Sequence, residues 1–143
     1  MLQTLTTPRG ETLSGTPWQV YPRPQMRRDS YINLNGEWDF AVSSEKPATF
    51  DMGITVPFCP ESRLSGIGRH FEEGAPLWYR RKFVLPESFR RERVLLHIGA
   101  ADQTAEVFVN GQHLCLHEGG YASFSVDITE ALAEENELVI RCT

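Results

Sequence analysis

Three side chains that can bind metal or act as nucleophiles lie close together in the stretch AEVFVNGQHLCLHEGGYASFSVDIT, residues 105–129. His113, Cys115 and His117 occupy alternate positions, so a regular strand would place all three on one face. Imidazole and thiolate are common zinc ligands, and a cysteine beside a histidine can act as a nucleophile. The spacing is therefore compatible with two kinds of site, a metal centre and a catalytic cysteine.

The sequence lacks the additional ligands that a zinc site needs and the supporting groups that a catalytic cysteine needs. A zinc site usually draws four ligands from two segments, and the remaining histidines, His70 and His97, do not sit in ligand pairs. Nothing near Cys115 suggests an oxyanion hole or an orienting amide or carboxylate, and the common enzyme signatures are absent. We therefore expect no metal, no cofactor and no catalytic residue in this chain. The three side chains are expected to face solvent, opposite Leu114 and Leu116.

The densest group of carboxylates is the run Glu134-Glu135-Asn136-Glu137. A glycosidase needs one protonated acid with a raised pKa and one ionised carboxylate facing it across a cleft. A contiguous acidic turn beside solvent provides neither the cleft nor the difference in pKa. We interpret this run as a solvated turn.

Composition and charge narrow the class of protein. A chain of 143 residues has the length of one domain, and its net charge of −5 gives no electrostatic basis for binding nucleic acid or an anionic membrane. Three cysteines without framework spacing favour a reducing compartment. The first residues show no apolar core of signal-peptide length, and no segment has the length of a membrane span. These features predict a cytoplasmic protein.

The pattern of apolar residues predicts strands and almost no helix. Seven or eight short runs alternate apolar and polar residues, and Asn110-Gly111 is a strong hairpin signal because both turn positions need positive φ. This pattern favours an all-β antiparallel sandwich or jelly roll over residues 31–143, after an extended arm over residues 1–30. A short helical turn is expected after Asp127-Ile128, with Thr129 as its N-cap.

The connection over residues 57–76 and the aromatic residues are the remaining candidates for a binding site. This loop is long for a compact domain, which is typical of a functional segment. Five aromatic residues lie on or beside strands and are expected to fill the core more often than to present platforms for sugar rings. They are Trp38, Trp78, Tyr79, Tyr121 and Phe124.

Five strings in order resemble a known family. They are PRPQMRRDSYINLNGEWDF, ITVPFCPESRLSGIG, PLWYRRKFVLP, VNGQHLCLHEGGYASFSVDIT and ENELVIR. Together they resemble the N-terminal sugar-binding, galactose-binding-like domain of glycoside hydrolase family two, which includes β-galactosidases, β-glucuronidases and β-mannosidases. The segment over residues 78–81 and the turn over residues 117–121 are most similar to the β-glucuronidase and β-galactosidase members.

The resemblance implies a galactose-binding-like jelly roll that belongs to a larger hydrolase of O-glycosyl bonds. In the family an immunoglobulin-like domain and a (β/α)₈ barrel follow, and the barrel carries the two catalytic glutamates of a retaining mechanism. One of those glutamates stands in an Asn-Glu-Pro context, whereas Asn136-Glu137 is followed by Leu138. No catalytic residue carries over, so this chain alone is not expected to be an enzyme. Its expected partners are the rest of the parent glycosidase and its carbohydrate substrate.

The family's domain also continues beyond the strand that matches ELVIR, to a further strand that completes its sheet. By this resemblance the chain is expected to lack its last strand or strands. An incomplete sheet leaves an unpaired edge, and such edges invite pairing between molecules. We therefore expect a homo-oligomer.

The resemblance places the sugar-facing region in the loop over residues 57–76. Within that loop, Glu61, Ser62 and Arg63 are the candidate carbohydrate contacts, because Glu61 and Arg63 can hydrogen-bond sugar hydroxyls. The planar guanidinium of Arg63 can also bind a uronate carboxylate with two hydrogen bonds. The alternative function is a stand-alone carbohydrate-binding module, which would bind sugar without the rest of the parent enzyme.

Overall fold

The computed structural model describes residues 7–14, 30–89 and 92–143. They belong to two compact units, Met1–Glu37 with Ile54–His70, and Trp38–Gly53 with Phe71–Thr143. Most of the predicted arm over residues 1–30 lies outside the described residues. No helix in the described part of the chain is long and apolar enough to cross a membrane.

Regular structure is almost entirely strand. One helical turn, α1, spans Pro8–Thr12, and its N-cap Thr7 accepts a hydrogen bond from the Gly10 N–H at 3.1 Å. The strands are β1 Gly36–Val42, β2 Met52–Val56, β3 Leu77–Val84, β4 Leu95–Ile98, β5 Thr104–Val109, β6 Gln112–Glu118, β7 Phe124–Asp127 and β8 Glu135–Cys142. The resolved strand pairs are antiparallel, so the prediction of an all-β antiparallel sandwich is confirmed.

The strands form a six-stranded sheet in the order β2-β1-β3-β8-β5-β6 and a two-stranded sheet of β4 and β7. Strand β8 runs through the middle of the larger sheet, with Ile140 opposite Tyr79 of β3 on one side and opposite Val107 of β5 on the other. The edges of this sheet are therefore β2 and β6. Self-association stays a prediction, and these two strands are the edges that it would use.

Alternation along each strand determines which side chains fill the core of the second unit. Trp38 and Phe40 of β1 are buried, as their shared period predicts, and Phe40 contacts the rings of Phe71 and Tyr79 at centroid distances of 5.8 and 5.0 Å. The further buried apolar residues of this unit include Leu96, Ala105, Val107, Val109, Val126, Ile128, Leu138 and Cys142. Together they form the apolar layer of the sandwich.

The opposite face of the larger sheet carries a smaller apolar cluster. Ala41, Trp78 and Val139 are buried there, with Phe50 and Phe108 packed against them. The Trp78 indole N–H donates to the Ser43 carbonyl at 2.8 Å, so the loop after β1 crosses this cluster. Trp78 is therefore a packing residue, as the sequence predicts for aromatic residues on strands.

Candidate functional site

The loop after β2 holds the three candidate sugar contacts on an ordered frame. Its centre is Ser65, which is buried and donates its hydroxyl to the Ser62 and Pro60 carbonyls at 2.7 and 3.2 Å. Ser62 caps the 3₁₀ turn Arg63–Ser65 through its side-chain oxygen, which accepts from the Leu64 N–H at 3.2 Å. The local sequence produces this turn because Ser62 supplies the cap and Gly66 takes the positive φ of 85° that ends it.

Two charged side chains project from this frame. Glu61 and Arg63 are exposed, and Glu61 Oε1 lies 3.5 Å from Nδ1 of His70. A carboxylate and a guanidinium on one rigid turn are suited to binding hydroxyl or carboxylate groups. Ser62 uses its side-chain oxygen as a cap, and its role as a sugar contact stays a prediction.

The expectation that His113, Cys115 and His117 share one solvent face is wrong. A β-bulge in β6 pairs Cys115 with Val107 but His113 with Phe108, which leaves Leu114 as the extra residue. Directly paired residues lie on the same face, so Cys115 and His117 lie on the core side with Val107 and Ala105. Leu116, expected in the core, is 58% exposed.

The two histidines consequently have different environments. His117 stacks on Phe124 of the second sheet, with ring centroids 4.0 Å apart. His113 lies on the other face, against the Phe108 ring at 5.0 Å and with Nε2 3.7 Å from Glu106 Oε2. Within residues 7–14, 30–89 and 92–143, no three Cys, His, Asp or Glu side chains converge on a possible metal site.

A shallow groove of about 340 Å³ lies in the second unit. It is lined by Glu92, Arg93, Gln112, Leu114, Asp127, Thr129, Glu130 and Ala131. Its best-ordered carboxylate is Asp127, which accepts from the Thr129 hydroxyl at 2.6 Å and the Thr129 N–H at 3.1 Å. The Arg93 guanidinium contacts the other oxygen at 2.7 Å. The sequence could have predicted the contacts between Asp127 and Thr129, because Asp-x-Thr is a common pattern for such side-chain turns. It could not have predicted the contact with Arg93, which is distant in the chain.

These hydrogen bonds keep Asp127 ionised. The Thr129 hydroxyl and N–H, followed by Arg93, lower the pKa of Asp127 from 3.8 to about 2. A carboxyl group with this pKa cannot act as a general acid near neutral pH.

The prediction that Thr129 is an N-cap is wrong. Ile128 holds the N-cap position, and the Thr129 hydroxyl accepts a hydrogen bond from the Val94 N–H at 2.9 Å. Asp127 and Thr129 therefore stabilise the turn that follows β7.

Replacing Asp127 by asparagine tests this role through the pH dependence of stability. Because the folded-state pKa is depressed, the stabilisation by Asp127 is present above pH 3.8 and disappears as the pH falls through about 2. We expect the variant to unfold at a lower urea concentration than the parent chain at pH 6, and at a similar concentration near pH 2. Equal midpoints at both pH values would contradict the assigned hydrogen bonds.

The three cysteines are free thiols, and they differ in burial. Burial, followed by the negative charge of Asp102, raises the pKa of Cys142 from 9.0 to about 11. At pH 8 this change lowers its thiolate fraction about 100-fold. In the native protein we expect iodoacetamide to label exposed Cys59 rapidly and to leave Cys142 unmodified, as followed by peptide mass spectrometry. In concentrated urea both should react, and equal labelling of both in the native state would show this burial to be wrong.

An amide pair joins the β5–β6 turn to the start of β8. Asn110 has a φ of 51° and Gly111 a φ of 81°, which confirms the predicted hairpin turn. Asn110 Nδ2 donates to Asn136 Oδ1 at 3.0 Å and to the Ala131 carbonyl at 2.7 Å. Asn136, noticed in the sequence only for its neighbouring acids, is thus a buried structural residue. Since its partner is distant in the chain, no local signal could have shown this.

Comparison with known proteins assigns the fold to a family. The family model described as glycosyl hydrolase 2 galactose-binding domain-like matches residues 69–143. The chain is 46% identical over 130 residues to the β-glucuronidase of Homo sapiens, covering 77% of this chain and 20% of that protein. It is 37% identical over 118 residues to a β-galactosidase of Thermoanaerobacter pseudethanolicus, covering 78% of this chain and 16% of that protein.

A solved structure agrees with these relatives. The β-glucuronidase of Faecalibacterium prausnitzii superimposes with a TM-score of 0.62 and 31% identity, over 78% of this chain and 20% of that one. The chain spans about a fifth of the length of the β-glucuronidases that it matches. The family model covers more than half of the chain and the fold agrees with it, so this chain belongs to the galactose-binding domain-like family of glycosyl hydrolase 2.

Proposed function

We propose that this chain is the non-catalytic N-terminal accessory domain of a larger β-glucuronidase- or β-galactosidase-like glycosidase. One observation carries the proposal: most of this chain aligns with β-glucuronidases, yet it corresponds to only about a fifth of their length. The remainder of such a protein would supply an immunoglobulin-like domain and a catalytic barrel. Its retaining hydrolysis of an O-glycosyl bond would use two carboxylates outside this chain.

The charges of the second unit support a non-catalytic role. A retaining glycosidase needs one carboxyl group that is protonated near neutral pH, opposite an ionised one. Here Asp39 is bound by Arg80 at 2.7 Å, and Asp127 is bound by Arg93 and Thr129 with a lowered pKa. The lowered pKa shows that the ionised form of Asp127 is stabilised, and both ion pairs suit structural carboxylates.

The first experiment examines the native protein and the isolated chain. An antibody against this chain should capture from cells a polypeptide about five times longer that releases nitrophenol from 4-nitrophenyl β-D-glucuronide or β-D-galactoside. The purified 143-residue chain should release none. Nitrophenol release by the isolated chain would overturn the proposal, and its loss in Asp127→Asn or Glu130→Gln would assign the activity to those carboxylates.

Isothermal titration of the isolated chain with methyl β-D-glucuronide and methyl β-D-galactoside separates the accessory domain from a stand-alone module. An accessory domain should release no binding heat, because it supplies only part of a sugar site. Saturable binding would instead favour the carbohydrate-binding module.

The three free thiols support a cytoplasmic location for the parent protein. Cell fractionation, followed with the same antibody, tests this location.

Arg63 carries the specific part of the proposal, that the loop after β2 contributes to the rim of the parent's sugar site. In the full-length enzyme, Arg63→Ala should raise KM for a glucuronide about tenfold with little change in kcat, because it removes substrate binding rather than transition-state stabilisation. The matched variant Arg63→Lys keeps the charge but loses the planar fork, so its effect should be intermediate. Unchanged KM in both variants would remove Arg63 from the site.

A further inference from the structure

A fully exposed tyrosine stands on the turn between β6 and β7. The relative exposure of Tyr121 is 101%, and within the described ranges its side chain makes no hydrogen bond or ring contact. An exposed aromatic side chain alone needs no explanation. Here, however, the backbone that carries the ring is held firmly.

Contacts made by Gly119 and His117 hold the turn. The Gly119 N–H donates to the Gln103 carbonyl at 2.8 Å, and the Gly119 carbonyl lies 3.2 Å from Nε2 of His117. His117 is itself packed flat on Phe124, with 15° between the ring planes. The Tyr121 ring is therefore presented from an ordered backbone, which reduces the entropy lost when a partner binds.

A carboxylate lies directly beside this ring's backbone. A Cβ atom on Gly120 would lie 2.0 Å from Asp102 Oδ1, so the Asp102 side chain occupies the space that only glycine leaves open. Oδ1 is consequently within about 3.5 Å of Gly120 Cα and within about 7.3 Å of Tyr121 Cα. The Asp102 carboxylate is exposed and accepts no hydrogen bond from the part of the chain that the structure describes.

We propose that Tyr121 and Asp102 anchor an arginine side chain of a partner polypeptide. The face of an aromatic ring attracts a cation, and a carboxylate with free lone pairs accepts two hydrogen bonds from a guanidinium. Arginine is the side chain that does both, because its planar group stacks and donates at once. Exposed Glu118 and the net charge of −5 add a negative field that favours a cation and repels a uronate. The inference is independent of the proposed function.

Nuclear magnetic resonance of the full chain tests the anchor with small probes. Nα-acetyl-arginine methylamide should shift the Tyr121 ring resonances and the Gly120 amide saturably. The citrulline analogue, which has the same shape without the charge, should bind about tenfold more weakly. Added salt should weaken the arginine probe and leave the citrulline probe unchanged.

Variants distinguish the ring from its hydroxyl. Tyr121→Phe keeps the aromatic face and should bind the arginine probe as the parent chain does, whereas Tyr121→Ala and Asp102→Asn should each weaken binding about tenfold. Tyr121 is unpacked and asparagine fits the space of Asp102, so circular dichroism should show all three variants folded. Equal binding of both probes, undiminished binding by Tyr121→Ala, or no shift up to the probes' solubility limit would overturn the proposal. Shifts produced by methyl β-D-galactopyranoside but not by the arginine probe would replace it with a sugar platform.

Discussion

Replacing Phe40 by alanine is expected to lower the free energy of unfolding by about 3–5 kcal/mol, the largest effect of any single change considered for this chain. Phe40 lies on β1 opposite Tyr79 of β3 and has no exposed surface. Its ring contacts Tyr79 edge-on and Phe71 at a tilt of 49°. Alanine would remove the apolar surface and both aromatic contacts and leave a cavity, because a close-packed sandwich relaxes only partly.

The measurement is urea unfolding at neutral pH, followed by circular dichroism and tryptophan fluorescence. Since small domains are stable by only about 5–15 kcal/mol, this loss is a large share of the total, and the alanine variant should unfold at a much lower urea concentration than the parent chain. Phe40→Leu retains more of the buried volume, so it should lower the free energy of unfolding by less. Its urea transition should therefore be measurable even where that of the alanine variant is incomplete. The control is Val84→Ala on β3, where the native side chain is 64% exposed and the change should stay within about 0.5 kcal/mol. A loss at Phe40 no greater than at Val84 would show that β1 does not pack as described.

Replacing Asn136 by alanine should lower the free energy of unfolding by about 2–4 kcal/mol, because three hydrogen bonds of a buried amide are lost. Asn136 Oδ1 accepts from the Ala133 N–H at 2.8 Å and from Asn110 Nδ2 at 3.0 Å, and its Nδ2 donates to the Ala133 carbonyl at 3.1 Å. Asn110 in turn accepts from the Glu137 N–H at 2.8 Å. The two amides therefore join the β5–β6 hairpin to the beginning of β8.

A double-mutant cycle isolates the contact between these amides. Asn110→Gly keeps the positive φ that the turn needs, so it removes the side chain without backbone strain. We expect the double variant to be less destabilised than the sum of the single variants, with a coupling of about 0.5–3 kcal/mol. Strictly additive losses in urea unfolding would mean that the two side chains do not interact.

Much of the fold could be predicted because the signals that specify it are short in sequence. Asn110-Gly111 needs only its own backbone preferences to form a turn, and the alternating runs that form β1 and β8 bury Phe40 and Leu138. Glu61 and Arg63 were selected from a long loop and prove to be exposed on an ordered turn. Their role with a sugar stays a prediction.

The faces of β6 show where sequence reasoning reached its limit. Alternation assumes an unbroken pairing with the neighbouring strand, but β6 has one more residue than β5 across the bulge at Leu114. One extra residue exchanges the two faces of the sheet for part of the strand. His113 therefore lies on the opposite face from Cys115 and His117. Nothing within β6 itself shows how many residues β5 will oppose.

The sequence by itself determined the strands, the hairpin turn, the acidic charge and the family, because each depends on residues that are neighbours in the chain or on their order. Only the tertiary structure decided that His117 stacks on Phe124 and that Asn136 bonds to Asn110. It also placed Asp102 beside the turn that carries Tyr121. These contacts join residues from different segments, and their formation depends on strand register and close packing, which arise only when the sheets assemble.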